Sequence, residues 1–407
     1  MVDQAIRIST ARVGSRPNSK AKQHMKRIVL IAFLLTGFLS EALPQESSLE
    51  PGLEEVRKLF KSYTEKEGIR NAFFRIETAD QSILLDTAMG EFANGDKVTL
   101  NTPFYTASIG KTFTATAIAQ LVDAGTLSFD DKVVDHLDTL IDGLLMVEGI
   151  DHGKELTIHH LLSHTSGLAD YFEDQPISGT NMMQELFSRP DHFWEPGELI
   201  AFAKNNFKAR FKPGEGYHYT DTEYILLGLV IEQVAGMPLH QYFEKNITGP
   251  LSMDLTSMNL RSAPSAIPDF PLAEIYAGPM EISRYRSLSA DWAGGAIRST
   301  GQDLNTFMKA LFQGKLLTQR SFEKMQKWIP ESQGTYYGYG LRKWVLSELN
   351  SSMPPLTLLG HSGSTGAYMY FCPELDIYLS GTFNNTESLK EHVLFMAEVL
   401  TQINHSK

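Results

Sequence analysis

The sequence predicts a mixed α/β (α+β) fold in which both ends of the chain contribute to one sheet. Strand-like runs occur near the start of the chain, at 73–92, and return between 336 and 385. The long middle, about 130–290, shows helical periodicity interrupted by Pro and Gly. This order of elements predicts a single sheet with a helical lobe inserted between its two parts.

Local patterns assign the flanking elements. Helices are predicted at 50–68, 106–125, 299–314 and about 387–403. The helix that starts near 299 has a potential capping pair, Thr300 and Asp303, ahead of its apolar face. A turn near Ala79 and Asp80 divides the first strand-like run into two strands.

Composition limits the kinds of site that the chain can build. It has 407 residues, of which 42% are hydrophobic, and this is enough for a substantial core. Its single cysteine, Cys372, excludes an intramolecular disulfide and a Cys-rich metal site. Because free cysteines are among the most buried residues, we expect Cys372 to be a buried strand residue.

Residues 1–42 are predicted to be an N-terminal extension followed by a signal peptide. Met25 precedes two basic residues, a twelve-residue apolar run and an S-E-A sequence that ends at Ala42. This arrangement is typical of a secretory signal, and the run is short for a bilayer span; an uncleaved anchor is the alternative. We therefore expect Met25 to be the true start and residues 43–407 to be exported, periplasmic or secreted, without a stable membrane span.

The exported part of the chain would be strongly acidic. Without residues 1–42 it has 29 basic and 46 acidic residues, a net charge of −17. Such a charge argues against nucleic acid and anionic membrane surfaces as partners. A small-molecule or peptide substrate is the remaining expectation, and the sequence does not indicate the oligomeric state.

The stretch TASIGKTFTATAIAQLVDAG, at 106–125, places Ser108 one helical turn before Lys111. A spacing of three puts both side chains on one face of a helix, although a cation is disfavoured in the first turn by the helix dipole. A serine at a helix N-terminus beside an amine suits nucleophilic catalysis, because backbone N–H groups there can stabilise an oxyanion. The Ser-x-x-Lys spacing alone is weak evidence, since it recurs at Ser321.

Two later segments could complete such a site. Tyr219, Thr220 and Asp221 lie between a Gly/Pro loop and an apolar helix. His361-Ser362-Gly363, followed by Ser364, ends a predicted strand. Taken alone, Tyr219 could be one aromatic residue among its neighbours, and His361 could simply close a strand.

Together these motifs resemble the serine β-lactamase and penicillin-binding enzyme superfamily, in particular the branch of class C β-lactamases, DD-peptidases, D-aminopeptidases and related esterases. Ser108-Ile109-Gly110-Lys111 is similar to S-x-x-K, Tyr219-Thr220-Asp221 to Y-S-N, and His361-Ser362-Gly363 to K-T-G or H-T-G. The supporting segments are LLSHTSGL, FKPGEGYHYTDTEYILLG, WAGGAIRSTGQDL, YYGYGL and GHSGSTGAY. The resemblance covers about residues 50–405.

The resemblance implies a β-lactamase/transpeptidase-like fold, with an antiparallel sheet flanked by helices. The sheet lobe would comprise about 50–130 and 295–407, and the helical lobe about 130–295. It implies no metal and no organic cofactor.

The resemblance also implies roles for individual residues. Ser108 would form the acyl-enzyme, Lys111 would activate it, and Tyr219, as a phenolate stabilised by Lys111, would be the general base. The backbone N–H groups of Ser108 and Ser364 would form the oxyanion hole. His361-Ser362-Gly363 and Asp221 would shape the substrate end of the cleft.

The sequence contains incomplete patterns for a zinc site and for an α/β-hydrolase nucleophile elbow. His160 and His164 in HHLLSH have a zinc-like spacing, but the Glu of H-E-x-x-H is missing. The G-x-S-x-G elbow of α/β-hydrolases is also missing, because GHSGS ends in serine.

Two departures from the family pattern bear on specificity. His at position 361 would give a weaker, pH-dependent positive charge than Lys. Asp at position 221 replaces an amide by a carboxylate beside Lys111. Both changes favour esters, amides or D-amino-acid-containing peptides with a free ammonium over carboxylate-bearing β-lactams. A β-lactamase, a DD-carboxypeptidase and a cell-wall peptide or penicillin binder without turnover are the alternatives.

Overall fold

The computed structural model of the chain describes residues 50–406. The predicted extension and signal peptide at 1–42, with the expected start at Met25, lie outside the described residues. Within 50–406, no helix is both long and apolar enough to cross a bilayer.

The α-helices of the described part are α1 Glu50–Thr64, α2 Gly110–Asp123, α3 Val134–Leu137, α4 Ile158–Leu162, α5 Met182–Ser188, α6 Pro196–Asn206, α7 Asp221–Ala235, α8 Leu239–Phe243, α9 Trp292–Gly295, α10 Gly301–Phe312, α11 Gln319–Met325, α12 Leu346–Leu349 and α13 Glu391–Ser406. Short 3₁₀ turns join several of them. The turn that matters for the site, Ala107–Ile109, runs directly into α2.

The strands of the described part are β1 Asn71–Thr78, β2 Leu84–Gly90, β3 Phe104–Tyr105, β4 Met146–Val147, β5 Ile150–Asp151, β6 Ser257–Met258, β7 Tyr276–Ala277, β8 Met280–Glu281, β9 Ile297–Ser299, β10 Ile329–Ser332, β11 Thr335–Tyr337, β12 Arg342–Val345, β13 Thr357–Ser362, β14 Ala367–Cys372 and β15 Ile377–Thr382. Eight of them form the main sheet, in the order β10-β11-β12-β13-β14-β15-β1-β2.

Neighbouring strands of the main sheet pair antiparallel throughout. The two ends of the chain meet where β1 pairs with β15, with Phe73 opposite Thr382. All eight residues of β1 are buried, which means that both faces of the sheet are covered.

Two hydrophobic cores lie on the two faces of the sheet. On one face, Phe60 of α1 and Phe395 of α13 pack with Phe74 of β1. On the other face, Phe73 joins the larger core that contains α2, α7 and α10. Successive residues of β1 thus serve opposite cores, as the two-residue period of a strand requires.

Most of the predicted elements are present with small shifts at their ends. The turn near Ala79 and Asp80 does separate β1 from β2, and Cys372 is buried in β14. The capping pair is only half formed: the Thr300 hydroxyl accepts from the Asp303 N–H, but the Asp303 carboxylate accepts from Leu255 and Thr256 instead. The expected lobe boundaries stay a prediction.

Candidate active site

Ser108 lies in a tight backbone elbow at the start of α2. The preceding residue, Ala107, has a φ of +45°, a conformation that costs free energy for a residue with a Cβ atom. Gly363, just after β13, packs against this elbow so closely that a Cβ atom there would lie 2.2 Å from the Thr106 carbonyl oxygen. The end of β13 therefore supports the backbone that presents Ser108.

Lys111 is fully buried and directs its ammonium group at three acceptors. Its Nζ lies 3.1 Å from Ser108 Oγ and 3.2 Å from the Gly294 carbonyl oxygen, and it forms an ion pair with the Asp221 carboxylate. Three acceptors satisfy the three donors of an ammonium group, so the lysine is held in one orientation. The helical spacing noted in the sequence thus brings Lys111 into hydrogen-bond distance of Ser108.

The protonation state of Lys111 follows from its neighbours. Burial alone would lower its pKa, but the charge of Asp221 and the hydrogen bond to its carboxylate outweigh burial and raise the pKa above its usual value. Lys111 therefore keeps its proton at neutral pH and acts on its surroundings as a fixed cation.

Tyr219 packs beside this cation at the loop that precedes α7. Its ring centroid lies 4.9 Å from Lys111 Nζ and 4.3 Å from the His164 ring centroid. Burial raises the pKa of Tyr219; Lys111 and Arg342 lower it, but not enough to cancel the effect of burial. Burial therefore opposes the phenolate that the resemblance implies, whereas the two cations favour it, and the role of Tyr219 as general base stays a prediction.

Asp221 is the first residue of α7, where the helix dipole favours a carboxylate. Its backbone N–H donates to Asp170 Oδ1 at 2.9 Å. Burial and the neighbouring charge of Asp221 raise the pKa of Asp170 to about 8 and that of Asp291 to about 6. Asp291 also accepts a 2.7 Å hydrogen bond from the Tyr105 hydroxyl. The site therefore holds a group of acidic side chains around a single buried lysine.

Ser108 opens into a cleft of about 500 Å³. The acidic lining residues are Asp170, Glu173, Asp174, Asp221 and Asp291. The apolar lining residues include Phe172, Met183, Leu186, Phe187, Ile282 and Leu288. Among the lining residues that the structure describes, His218 is the only side chain that can become a cation, and it already bonds Asp174 at 2.9 Å.

Ser364, which follows the Gly363 that packs on the elbow, lines the cleft and is exposed. Its backbone N–H makes no hydrogen bond to another described residue, so this donor is available to a ligand. The predicted oxyanion residues, Ser108 and Ser364, thus share one cleft, and Gly363 contributes by packing rather than by facing it.

His361 differs from expectation. It is fully buried and does not line the cleft; its Nδ1 bonds the Ser362 carbonyl oxygen at 2.8 Å, and its Nε2 lies 3.1 Å from the Tyr337 hydroxyl. Burial, followed by the charges of Arg342 and Lys111, holds the pKa of His361 well below its usual value. The expected pH-dependent positive charge at this position is therefore absent, since the ring stays neutral and faces the protein.

The HHLLSH histidines have separate partners. His160 Nδ1 accepts from the Thr157 N–H at 3.2 Å, as part of a helix cap. His164 Nδ1 bonds Glu223, and both of these side chains are fully buried. Burial raises the pKa of Glu223 well above its usual value. It also lowers the pKa of His164 well below its usual value, so the pair is uncharged.

The sequence did not reveal four residues that shape the site. Asp170 comes from a loop, Asp291 from the end of the 3₁₀ helix Arg286–Asp291, and Arg342 and Glu331 from strands β12 and β10. Arg342 Cζ lies 5.3 Å from the Tyr219 ring centroid. These positions have no local signature; only the adjacent segments LLSHTSGL, WAGGAIRST and YYGYGL indicated that these regions of the chain mattered.

Comparisons with known proteins identify the family of this chain. The Beta-lactamase family model matches residues 56–399. Penicillin-binding protein 4* of Bacillus subtilis (strain 168) is 27% identical over 374 residues, which cover 84% of this chain and 76% of that protein.

Solved structures show the same architecture. A D-stereospecific amidohydrolase from Streptomyces sp. has a TM-score of 0.66 at 28% identity, over 84% of this chain and 95% of that one. The D-amino acid amidase from Ochrobactrum anthropi SV3 has a TM-score of 0.73 at 22% identity, over 88% and 99% of the two chains. These similarities confirm the fold class predicted from the sequence.

Proposed function

Because this chain belongs to the beta-lactamase family and is a serine hydrolase, we propose that it hydrolyses amides, esters and short D-amino-acid-containing peptides whose acyl part carries a free ammonium group. The reaction proceeds through an acyl-enzyme on Ser108. The observation that carries this proposal is the acidic lining of the cleft beside the serine.

The acylation step uses the residues around Lys111. Ser108 Oγ attacks the substrate carbonyl carbon while its proton passes to Tyr219, which is reactive in the fraction of molecules that have lost the phenolic proton. Lys111 stays protonated and favours that fraction. The N–H groups of Ser108 and Ser364 stabilise the oxyanion, and the protonated Tyr219 then gives its proton to the leaving amine or alcohol. Water repeats the sequence in deacylation.

Electrostatics favours a cationic acyl part. Asp221 is neutralised by Lys111, whereas Asp170 and Asp291 have no cationic side chain paired with them among the described residues. With pKa values of about 8 and about 6, Asp170 is mostly protonated and Asp291 mostly ionised near neutral pH, and an incoming ammonium would favour the ionised form of both. A carboxylate-bearing substrate would meet repulsion here.

The apolar wall indicates the rest of the substrate. Phe172, Leu186 and Leu288 line the cleft together with the acidic residues. An amino acid with a large apolar side chain would bury that side chain against this wall while its ammonium faces the carboxylates. The 28% identity to a D-stereospecific amidohydrolase supports an amide bond as the target.

A substrate panel tests the proposal. We expect the p-nitroanilide of D-phenylalanine to be turned over with a kcat/KM several-fold to about tenfold above that of its N-acetyl derivative, since one partly screened ion pair contributes on the order of 1 kcal/mol. The L enantiomer, p-nitrophenyl acetate and nitrocefin complete the panel. A preference for nitrocefin would instead indicate a β-lactamase, and one stoichiometric burst without turnover would indicate a penicillin-binding protein; either result contradicts the proposal.

Export is a separate part of the proposal. The signal-like segment that ends at Ala42 supports it. Cell fractionation and N-terminal sequencing of the mature protein would test it, with a new N-terminus close to residue 43 as the expected result. Intact protein found only in the cytoplasm would contradict export and leave the proposed chemistry unaffected.

A further inference from the structure

We propose that Arg342 is a positioning residue for this reaction, which holds Tyr219 in place and supplies the second positive charge that favours removal of the Tyr219 proton. The inference rests on the proposed function, because it concerns the same proton transfer. It places this charge on β12, the strand that pairs with the strand of His361.

Arg342 is fixed by a two-pronged ion pair. Its Nε and Nη2 donate to the two carboxylate oxygens of Glu331 at 2.8 and 2.7 Å. Such paired bonds set the plane of the guanidinium group as well as its position. The Arg342 side chain is 17% exposed, so solvent screens its charge only in part.

The same pair anchors the loop that carries Tyr219. Glu331 Oε1 also accepts a 3.0 Å hydrogen bond from the hydroxyl of Tyr217, two residues before Tyr219. Arg342 Cζ lies 5.3 Å from the Tyr219 ring centroid, within the range of a cation–π contact. Arg342 and Glu331 thus contact Tyr219 both directly and through its own loop.

Arg342 lies on the strand next to His361, the position at which the family pattern has a lysine. It pairs with Gly360 on β13, one residue before His361. Since the His361 ring is neutral and turned into the protein, it cannot supply a cation to the site. The guanidinium group of Arg342, on the adjacent strand β12, supplies a positive charge near Tyr219 instead.

The groups that face Tyr219 come from several elements. Their charged members are Lys111 of α2, Asp221 of α7 and Arg342 of β12; their neutral members are His164, His361, Tyr224 and Tyr337. Burial raises the pKa of Tyr219, Asp221 raises it further, and Lys111 and Arg342 both lower it. Arg342 does not line the cleft, so it acts through Tyr219 rather than on the substrate.

The pH dependence of acylation tests the inference. We would measure the rate of Ser108 labelling by a fluorophosphonate probe between pH 5 and 10, for wild type, Arg342→Gln, Arg342→Lys and Arg320→Gln. Without the guanidinium charge, the Tyr219 proton is harder to remove, so the acidic limb of Arg342→Gln should move to higher pH. Below this limb, at pH 7, its labelling rate should fall about tenfold or more, and Arg342→Lys, which keeps the positive charge, should restore most of the rate.

The comparison variants separate charge from structure. Arg342→Lys should keep the acidic limb close to that of wild type, because its charge is retained, while Arg320→Gln, at an exposed position in α11, should change nothing. An equal loss of labelling rate in Arg342→Gln and Arg342→Lys would mean that the charge is not what matters and would overturn the inference. Circular dichroism would show whether each variant is folded. Because labelling requires no turnover, the result is independent of the substrate proposal.

Discussion

Asp221 and Lys111 form an ion pair in which the lysine side chain is completely buried and the carboxylate is 14% exposed. The pair joins the start of α7 to the first turn of α2, so the two helices that carry the candidate catalytic groups are linked by one electrostatic contact. Removal of either charge should therefore change the pKa values of the neighbouring groups, in particular that of Tyr219.

Asp221→Asn should move the pH–activity profile to lower pH. The carboxylate raises the pKa of both Lys111 and Tyr219, so its removal lowers both. The acidic limb, which follows loss of the Tyr219 proton, should therefore shift to lower pH. The measurement is kcat/KM for p-nitrophenyl acetate against pH, with the exposed Asp142→Asn as the control. An unshifted profile would mean that Asp221 does not influence the groups whose titration controls activity.

Lys111→Ala and Tyr219→Phe should each nearly abolish turnover, and the double variant should lose little more. The reason is that both groups are expected to serve one proton transfer, and residues that act as a unit are strongly non-additive. A double-mutant cycle on kcat/KM measures this. Multiplicative losses would assign the two residues to different steps.

Gly294→Ala should reduce kcat more than it changes KM. An added Cβ atom would lie 2.6 Å from Asp221 Oδ1 and 3.6 Å from Lys111 Nζ, so the ion pair must move. The matched control is Gly197→Ala in α6, where an added Cβ atom meets nothing within 4 Å. Unchanged kinetics in both variants would show that the ion pair tolerates displacement.

His361→Lys should destabilise the protein rather than add a substrate contact. The new ammonium would be buried without a carboxylate partner and near two existing cations, Lys111 and Arg342. An uncompensated buried charge costs about 3–5 kcal/mol, which lowers the melting temperature by roughly 10 °C. Thermal unfolding beside the exposed His405→Lys control would measure the effect. An equally stable variant with improved nitrocefin turnover would mean that the side chain reaches the cleft.

Ser108→Ala should abolish labelling by a fluorophosphonate and reduce turnover by about 10³-fold or more. Ser321→Ala provides the control, because Ser321 shares the Ser-x-x-Lys spacing but is buried and donates its hydroxyl hydrogen to Asp123 at 2.6 Å. Labelling that persists in Ser108→Ala would assign the nucleophile to another residue.

The residues that could be found from the sequence are those with a local pattern. The three-residue spacing of Ser108 and Lys111 predicts their contact because an α-helix fixes it. The position of Asp221 beside Lys111 followed from the motif order, although 110 residues separate the two.

The other features of the site depend on tertiary contacts, which produce no periodic pattern in the sequence. Arg342 reaches Tyr219 only because β12 pairs with β13, and Asp170 reaches Asp221 only through a loop after α4. His361 shows the converse: its motif position was correct, but the orientation of its ring depends on Tyr337 from another strand. Burial and side-chain direction were the properties that the sequence could not predict.

The pairing of β1 with β15 has a consequence for how the protein matures. Phe73 leaves the ribosome more than 300 residues before its partner Thr382, so the β1–β2 hairpin must wait for the end of the chain with one backbone edge unsatisfied. Contacts of such long sequence separation slow folding, since a large loop must close before they form. A nascent chain that has not yet reached β15 therefore lacks the strand that joins β1 and β2 to the other five strands of the sheet.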